Sequence, residues 1–384
     1  MSHNCPNRTI GCGRNGGASV EPGLVVRRVL VALVAAAVVG VLAPAAARAD
    51  GGVGTGGKVA GAAVPNLAPV GDGDAVGSLG HLAANGMNMV SLYVWWQTDQ
   101  GATSLSPSTQ TVSDQELAAQ ITAARAAGLR VSLTPLFYCN GCEGGSRSVF
   151  RTDPAHPDRL AAFFSSYSAF IDHYAALAQA NGASIFFVGS ELSYLEAATG
   201  YWRGVIAGVR GIFHGQLAYE ENWDVVGNAH FLDAVDLIGV SAYFPLDPRP
   251  SPTLSQLLAD WHSSSVPGWQ GRNWVAELQG LVRTYHRPIL FGEVGYMSGD
   301  YAANHPYLND YENLNWTLQA DLYQAVLETF QGYGWWAGVM WWDYSSTVDG
   351  AGNGRTFAGK LAEVVLQMWY ADGSRPASAS TPLA

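Results

Sequence analysis

The sequence predicts a (β/α)8 barrel, and three observations lead there. Eight short apolar runs alternate along the chain with longer segments of helical period. The runs are apolar throughout rather than at every second residue, which marks parallel strands buried on both faces. Carboxylates and aromatic rings collect at the C-terminal ends of the runs, where the loops of such a barrel gather. A doubly wound open sheet is the alternative. It would need a Gly-x-Gly-x-x-Gly turn after its first strand, and "GDGDAVG" (71–77) has the wrong spacing.

Each element has its own signal. "GKVAGAAVP" (57–65) is the first strand, and "VGSLGHLAANG" (76–86) is a helix ended by glycine. "MNMVSLYVWW" (87–96) is the second strand. Segment 113–128 opens with Ser113 as N-cap and Glu116 three residues on, a capping-box pattern. "LRVSLTPLF" (129–137) is the third strand. Segment 157–182 spaces Leu160, Phe164, Tyr167, Ile171, Tyr174 and Ala178 along one helical face. "ASIFFVGSE" (183–191) is the fourth strand, 199–215 a helix and "QLAYEENW" (216–223) the fifth strand. "AVDLIGVSAYF" (234–244) is the sixth strand, 272–286 a helix and "RPILFGEVGY" (287–296) the seventh strand. A helix over 314–334, the strand "WAGVMWWDY" (336–344) and a last helix over 357–372 complete the set.

The N-terminal residues are read separately. Arg27 and Arg28 precede the apolar run "VLVALVAAAVVGVLA" (29–43), and Ala47-Arg48-Ala49 fits a small-x-small cleavage site. A spanning helix needs ~20 apolar residues, so this shorter run reads as a secretory signal with Asp50 as the mature start. An uncleaved N-terminal membrane anchor is the alternative. The expected organisation is a leader (1–49), one catalytic domain (50–372) and a disordered tail (373–384).

The chain carries 20 basic and 31 acidic residues, and the leader holds five of the former and one of the latter, leaving −15. That excludes nucleic acid and anionic membrane as expected partners, since both need basic patches. Cys139 and Cys142 are the cysteines left outside the leader, and in an exported protein they read as a short-loop disulfide. The histidines are scattered with no His-Glu-x-x-His, so no metal or other cofactor is expected. Gly-x-Ser-x-Gly is absent too, which argues against a serine hydrolase acting on esters. All 13 Trp follow the leader, more than a core needs, so some are expected to line a cleft.

Reading the strand ends in turn gives the chemistry. The second ends in Tyr93, Trp95 and Trp96, the fourth in Glu191, and the fifth in Glu220, Glu221, Asn222 and Trp223. The sixth ends in Tyr243, the seventh in Glu293, and the eighth in Trp341, Trp342 and Asp343. Glu191 and Glu293 are 102 residues apart, three βα units of about 30–40 residues, so they face each other across the barrel mouth. Two facing carboxyls suit glycosidic cleavage, one protonated to donate to the leaving oxygen and one ionised to attack. Ionising either raises the pKa of the other, which supplies the asymmetry. Aromatic faces suit sugars by covering their C–H surfaces. Glu220 and Glu221 have a plainer reading as solvated loop charges, and Tyr243 as core. Strand alternation sends one of Trp341 and Trp342 inward and the other outward. Trp95, Trp96 and Trp223 read equally as subsite or as packing.

"VGSELS", "ENWD", "DLIGVSAYFPL", "PILFGEVGY" and "GVMWWDY" resemble the motifs of glycoside hydrolase family 113, in the large clan of retaining (β/α)8 hydrolases. The resemblance runs from about the second strand to the eighth. It implies a β-mannanase-like enzyme in which Glu191 is the acid/base, Glu293 the nucleophile, Tyr243 the hydrogen-bond partner of the nucleophile, and Trp342 the platform under the sugar. Ser190 stands where many members of the wider clan carry an asparagine that holds the sugar 2-hydroxyl. Sugar preference therefore turns on Ser190, Asn222 and Trp223. A hydrolase of xylan or β-glucan on the same fold, and a secreted glycan-binding barrel without turnover, are the other readings. Carbohydrate is the expected partner of a monomer.

Overall fold

The computed structural model describes residues 57–152, 156–309, 312–346 and 352–370. The leader, Asp50 and the tail read from the sequence lie outside these residues. Eight parallel strands close into a barrel: β1 (Val59–Val64), β2 (Met89–Asp99), β3 (Arg130–Asn140), β4 (Ile185–Ser190), β5 (Gln216–Asn222), β6 (Leu237–Ser241), β7 (Ile289–Val294) and β8 (Trp336–Trp341). Each pairs with the next, and β1 pairs with both β2 and β8, so no edge remains. Every residue of β1, β4, β6, β7 and β8 is buried, as runs that are apolar on both faces require.

Helices follow most strands: α1 (Asp74–Ala84), α2 (Asp114–Ala126), α3 (Pro157–Asn181), α4 (Thr199–Arg210), α5 (Leu254–Asp260), α6 (Trp274–Tyr285), α7 (Trp316–Phe330) and α8 (Leu361–Tyr370). Pro157 opens α3 and Gly182, at φ 73°, closes it. Ser113 caps α2 by accepting from the Glu116 N–H, but the expected reciprocal bond is not made. Glu116 instead accepts from the Val70 N–H at 2.7 Å, tying α2 to the loop before α1. The complete capping box lies on α5, between Thr253 and Gln256, a helix the sequence reading passed over. Between β5 and β6 the described connection holds only a turn of 3-10 helix, Leu232–Ala234. No helix among the described residues is long and apolar enough to cross a membrane.

The core has two layers. One belt lies between the strands and the helices, with Trp202, Trp261, Trp274, Trp336 and Trp341 among its largest members. The other fills the barrel interior with Met89, Tyr93, Ile185, Phe187, Leu290 and Met340. Two departures from a plain barrel shape its mouth. β2 and β3 stay paired from Met89↔Arg130 to Asp99↔Asn140, longer than their apolar runs predict, and a short strand at Ser106–Pro107 adds antiparallel to Trp96 and Gln97. The register shifts once between β4 and β5 near Gly189, and once between β6 and β7 just before Glu293. Such irregularities re-aim side chains at a sheet's end.

Candidate active site

A cleft of about 560 Å³ opens at the C-terminal ends of the strands. Glu191 and Glu293 both line it, with Trp95, Asn222, Trp223, Tyr243 and Trp342 around them. Glu191 follows β4 immediately and takes the left-handed conformation at φ 54°, costly for a non-glycine residue and common where function demands it. Its N–H donates to the Glu220 carbonyl at 2.8 Å, which fixes the turn. Glu293 lies on β7 itself with a side chain only 6% exposed. Tyr243 donates its hydroxyl to Glu293 Oε2 at 3.4 Å. Burial first, then the neighbouring carboxyls of Glu220 and Glu191, push the Glu293 carboxyl well above the usual carboxylate range, against the opposing pull of Arg147 and Tyr243.

Arg147 organises the pair, and sequence reasoning missed it. It sits in the loop after β3, on a 3-10 turn (Arg147–Val149) capped by Ser146. Its Nη2 lies 3.1 Å from Glu191 Oε2 and 4.0 Å from Glu293 Oε1. Nε donates to the Ser190 carbonyl at 2.9 Å, and Nη2 also to Ser190 Oγ at 3.1 Å. Burial works against its charge, but Glu191, Glu293 and Glu220 more than restore it, so its pKa stands above the ordinary value. An arginine in an irregular loop has no periodicity to expose it. The nearest signal was the Cys139–Cys142 pair just before it. These two are bonded, with Cα atoms 5.4 Å apart, at the end of β3.

The aromatic residues divide. Trp342 faces the cleft and meets the edge of Tyr93 at 5.5 Å, while Trp341 points outward, fully buried, stacked on Tyr323 of α7 at 3.9 Å. Trp95 lines the cleft, donates Nε1 to the Pro65 carbonyl and stacks on Tyr138 at 4.5 Å. Trp96 points the other way, against Phe170 and the Tyr174 hydroxyl of α3, so the expected subsite role gives way to packing. Trp223 stacks on Tyr307 at 5.4 Å and meets Trp269 at 5.0 Å, and all three line the cleft. Tyr307, Asn309, Asp224 and Arg355 were not foreseen. Arg355 donates to the carbonyls of Pro306 and Leu308 and to the Asn309 side chain, and its guanidinium lies 5.7 Å over the Tyr243 ring. It thereby pins the loop that carries Tyr307.

Three further expectations need correction. Ser190 is buried and outside the cleft lining, engaged by Arg147 and by Glu220 Oε2 at 3.0 Å. Glu220 and Glu221 are not solvated loop charges: they are 1% and 0% exposed. Glu221 accepts from the N–H groups of Gly227 and Ala229 and so shapes the loop after β5. Glu220 points into the barrel. Burial, then Glu191, pushes its carboxyl up to about 8. Among the described residues no group of three or more His, Cys, Asp or Glu side chains could hold a metal ion.

Comparison with known proteins places this site in a lineage. No curated protein is significantly similar. A β-mannanase of glycoside hydrolase family 113, AaManA from Alicyclobacillus acidocaldarius in complex with ManMIm, shares 28% identity at a TM-score of 0.70, covering 83% of this chain and 98% of that one. A complex of a family 113 β-1,4-mannanase shares 25% at a TM-score of 0.69, over 82% and 99%. Fungal β-1,4-galactanases, at 14% identity and a TM-score of 0.53 over 80% and 99%, share the fold alone. The sequence model of Glycoside Hydrolase Family 113 matches residues 71–356, which takes in both glutamates, Tyr243, Arg147 and Trp342, and the chain belongs to that family.

Proposed function

We propose that this glycoside hydrolase cleaves β-1,4-mannan with retention of configuration, using Glu191 as acid/base and Glu293 as nucleophile. One observation carries the reading: a single nitrogen of Arg147 contacts both carboxyls across the cleft. Contacts of 3.1 and 4.0 Å to one atom keep those oxygens within about 7 Å at most, reached only on a straight line. That bound admits the separation of about 5–5.5 Å of a retaining pair and excludes most of the range of about 6.5–9.5 Å of an inverting one. The preference for mannan rests on likeness to the family 113 mannanases.

In the first step Glu191 gives its proton to the glycosidic oxygen while Glu293 attacks the anomeric carbon and the C–O bond breaks. Positive charge developing on the sugar favours the ionised form of Glu293, as do Arg147 and the Tyr243 hydroxyl. In the second step Glu191 takes a proton from water, whose oxygen displaces Glu293 from the same carbon. Trp342 covers the sugar at the cleavage point. Trp95 with Tyr138 on one side, and Trp223 with Trp269 and Tyr307 on the other, offer faces to further units. Export fits a polymeric substrate found outside the cell, and N-terminal sequencing of protein secreted by its host should begin at Asp50.

The deciding experiment is reducing-sugar release from mannan, xylan and β-glucans, with early NMR of the product anomer. Release from mannan with the β-anomer first is expected. Initial formation of the α-anomer would overturn the nucleophile assignment, and release from xylan or glucan alone would overturn the substrate.

A further inference from the structure

Beneath the two reactive carboxyls lies a third. Glu220 projects from β5 into the barrel, outside the cleft lining. Its Oε2 accepts from Ser190 Oγ at 3.0 Å, and its enclosed Oε1 makes no well-formed hydrogen bond, with the Ser241 hydroxyl as the neighbour able to reach it. The space for it is built into the neighbouring strands. A Cβ at Gly292 on β7 would collide with the Glu220 carboxyl, and one at Gly239 on β6 would press on its Cα and Cβ at 3.0 Å. From Glu220 a chain of hydrogen bonds leads outward through Ser190 to Arg147 and on to Glu191, and Arg147 Nη2 also stands 4.0 Å from Glu293 Oε1, close enough for charge attraction but not for a hydrogen bond. The titratable and polar groups around it are Glu191 and Ser190 at the end of β4, Glu293 on β7, Tyr93 on β2, Ser241 on β6, and Arg147. The one cation in that set is shared with two other carboxyls. An ionised Glu220 would therefore be an enclosed charge with no cation of its own, which is costly.

We propose that Glu220 is a positioning residue for sugar cleavage: a neutral carboxyl that anchors Ser190, and through Ser190 holds Arg147 between Glu191 and Glu293. This rests on the two-glutamate reading above. Burial first, then its neighbour Glu191, push the Glu220 carboxyl up to about 8. Ser190, expected at the sugar, instead works beneath the catalytic floor.

The test compares Glu220→Leu, Glu220→Gln and Ser190→Ala. Glu220→Leu breaks the chain at its root, so kcat should fall roughly ten- to hundredfold with KM little changed. Slack in Arg147 removes a cation from Glu293, so the acid limb of kcat/KM should move up by about one pH unit. Glu220→Gln keeps a neutral acceptor for Ser190 and should restore most of the rate and the wild-type limb. If Glu220→Leu does not fold, Ser190→Ala cuts the next link and should move kcat and the limb in the same directions. A Gln variant as impaired as Leu, a limb that moves down, or a Ser190→Ala variant like wild type overturns the proposal. Infrared difference spectra at near-neutral pH read the protonated carboxyl without turnover. A band lost in Glu220→Gln supports a neutral Glu220, and no band overturns it. Should the wild type release no sugar at all, the functional reading falls, while that band and the position of Arg147 in a crystal structure of Ser190→Ala still decide the role of Glu220.

Discussion

Trp341 and Trp342 are adjacent in sequence and opposite in fate. The first stacks on Tyr323 behind the barrel wall and the second faces the cleft. Trp342→Ala should therefore weaken sugar binding by about 1–3 kcal/mol and leave the melting temperature nearly unchanged. Trp341→Ala should cost about 3–5 kcal/mol of stability, read as a lower denaturant midpoint, because it leaves a void in a packed belt. Strand alternation announced that the pair divides, but not which member turns inward. Glu293 gives a second prediction at this scale. Its carboxyl stands well above the ordinary 4.5, and the proposed attack needs it ionised, so the acid limb of kcat/KM should lie above pH 4.5. Tyr243→Phe removes a donor that favours the charged form and should move that limb further up. A limb below pH 4.5 in a rate profile would contradict the assignment. Glu220, Glu221 and Arg147 were among the residues misjudged or missed. Carboxyls and arginines are normally solvated, and nothing in a linear sequence marks a barrel interior that can take them.

At the scale of elements, the segment from β3 to the 3-10 turn joins a scaffold to a functional side chain. Cys139 is the last but one residue of β3, Cys142 lies just past the strand's end, and Arg147 follows five residues on. A bridge closing so short a loop constrains the unfolded chain little, so removing it should scarcely alter global stability. Cys139→Ala with Cys142→Ala should instead lower kcat several-fold by loosening Arg147, with a melting temperature within a few degrees of wild type. Two free thiols in denatured, unreduced protein exported by its host would show that no bridge forms. The barrel strands were legible because β1, β4, β7 and β8 are apolar on both faces, a pattern few other elements produce. α5 was not, because seven residues hold too few apolar positions to establish a period. The upper halves of β2 and β3 escaped for a different reason: "QTD" and "YCN" are polar, and only their mutual pairing makes them strand.

The whole molecule encloses several acidic groups whose burial favours the neutral form. Glu196 and Glu220 are pushed up to about 8 and Glu221 to about 7, in each case first by burial. As pH rises, the unfolded chain releases these protons near the ordinary glutamate value of 4.5 while the folded chain still holds them. Folding thus binds protons in this window, and stability falls as pH climbs from about 5 to about 8. Thermal melts across that range should show a declining midpoint, and Glu220→Gln, which has no proton to lose, should decline less. A midpoint that rises would contradict the enclosed neutral carboxyls. The space that Gly292 leaves for the Glu220 side chain also sets the order in which this lineage can change. Gly292→Ala arriving first would collide with the Glu220 carboxyl and should destabilise the fold. If position 220 first shrinks to a small residue, the same alanine loses that collision and keeps only a close approach to the Phe187 ring at 3.2 Å, so it should be better tolerated. The two sites are bound by sign epistasis, and drift at one is licensed only by the history of the other.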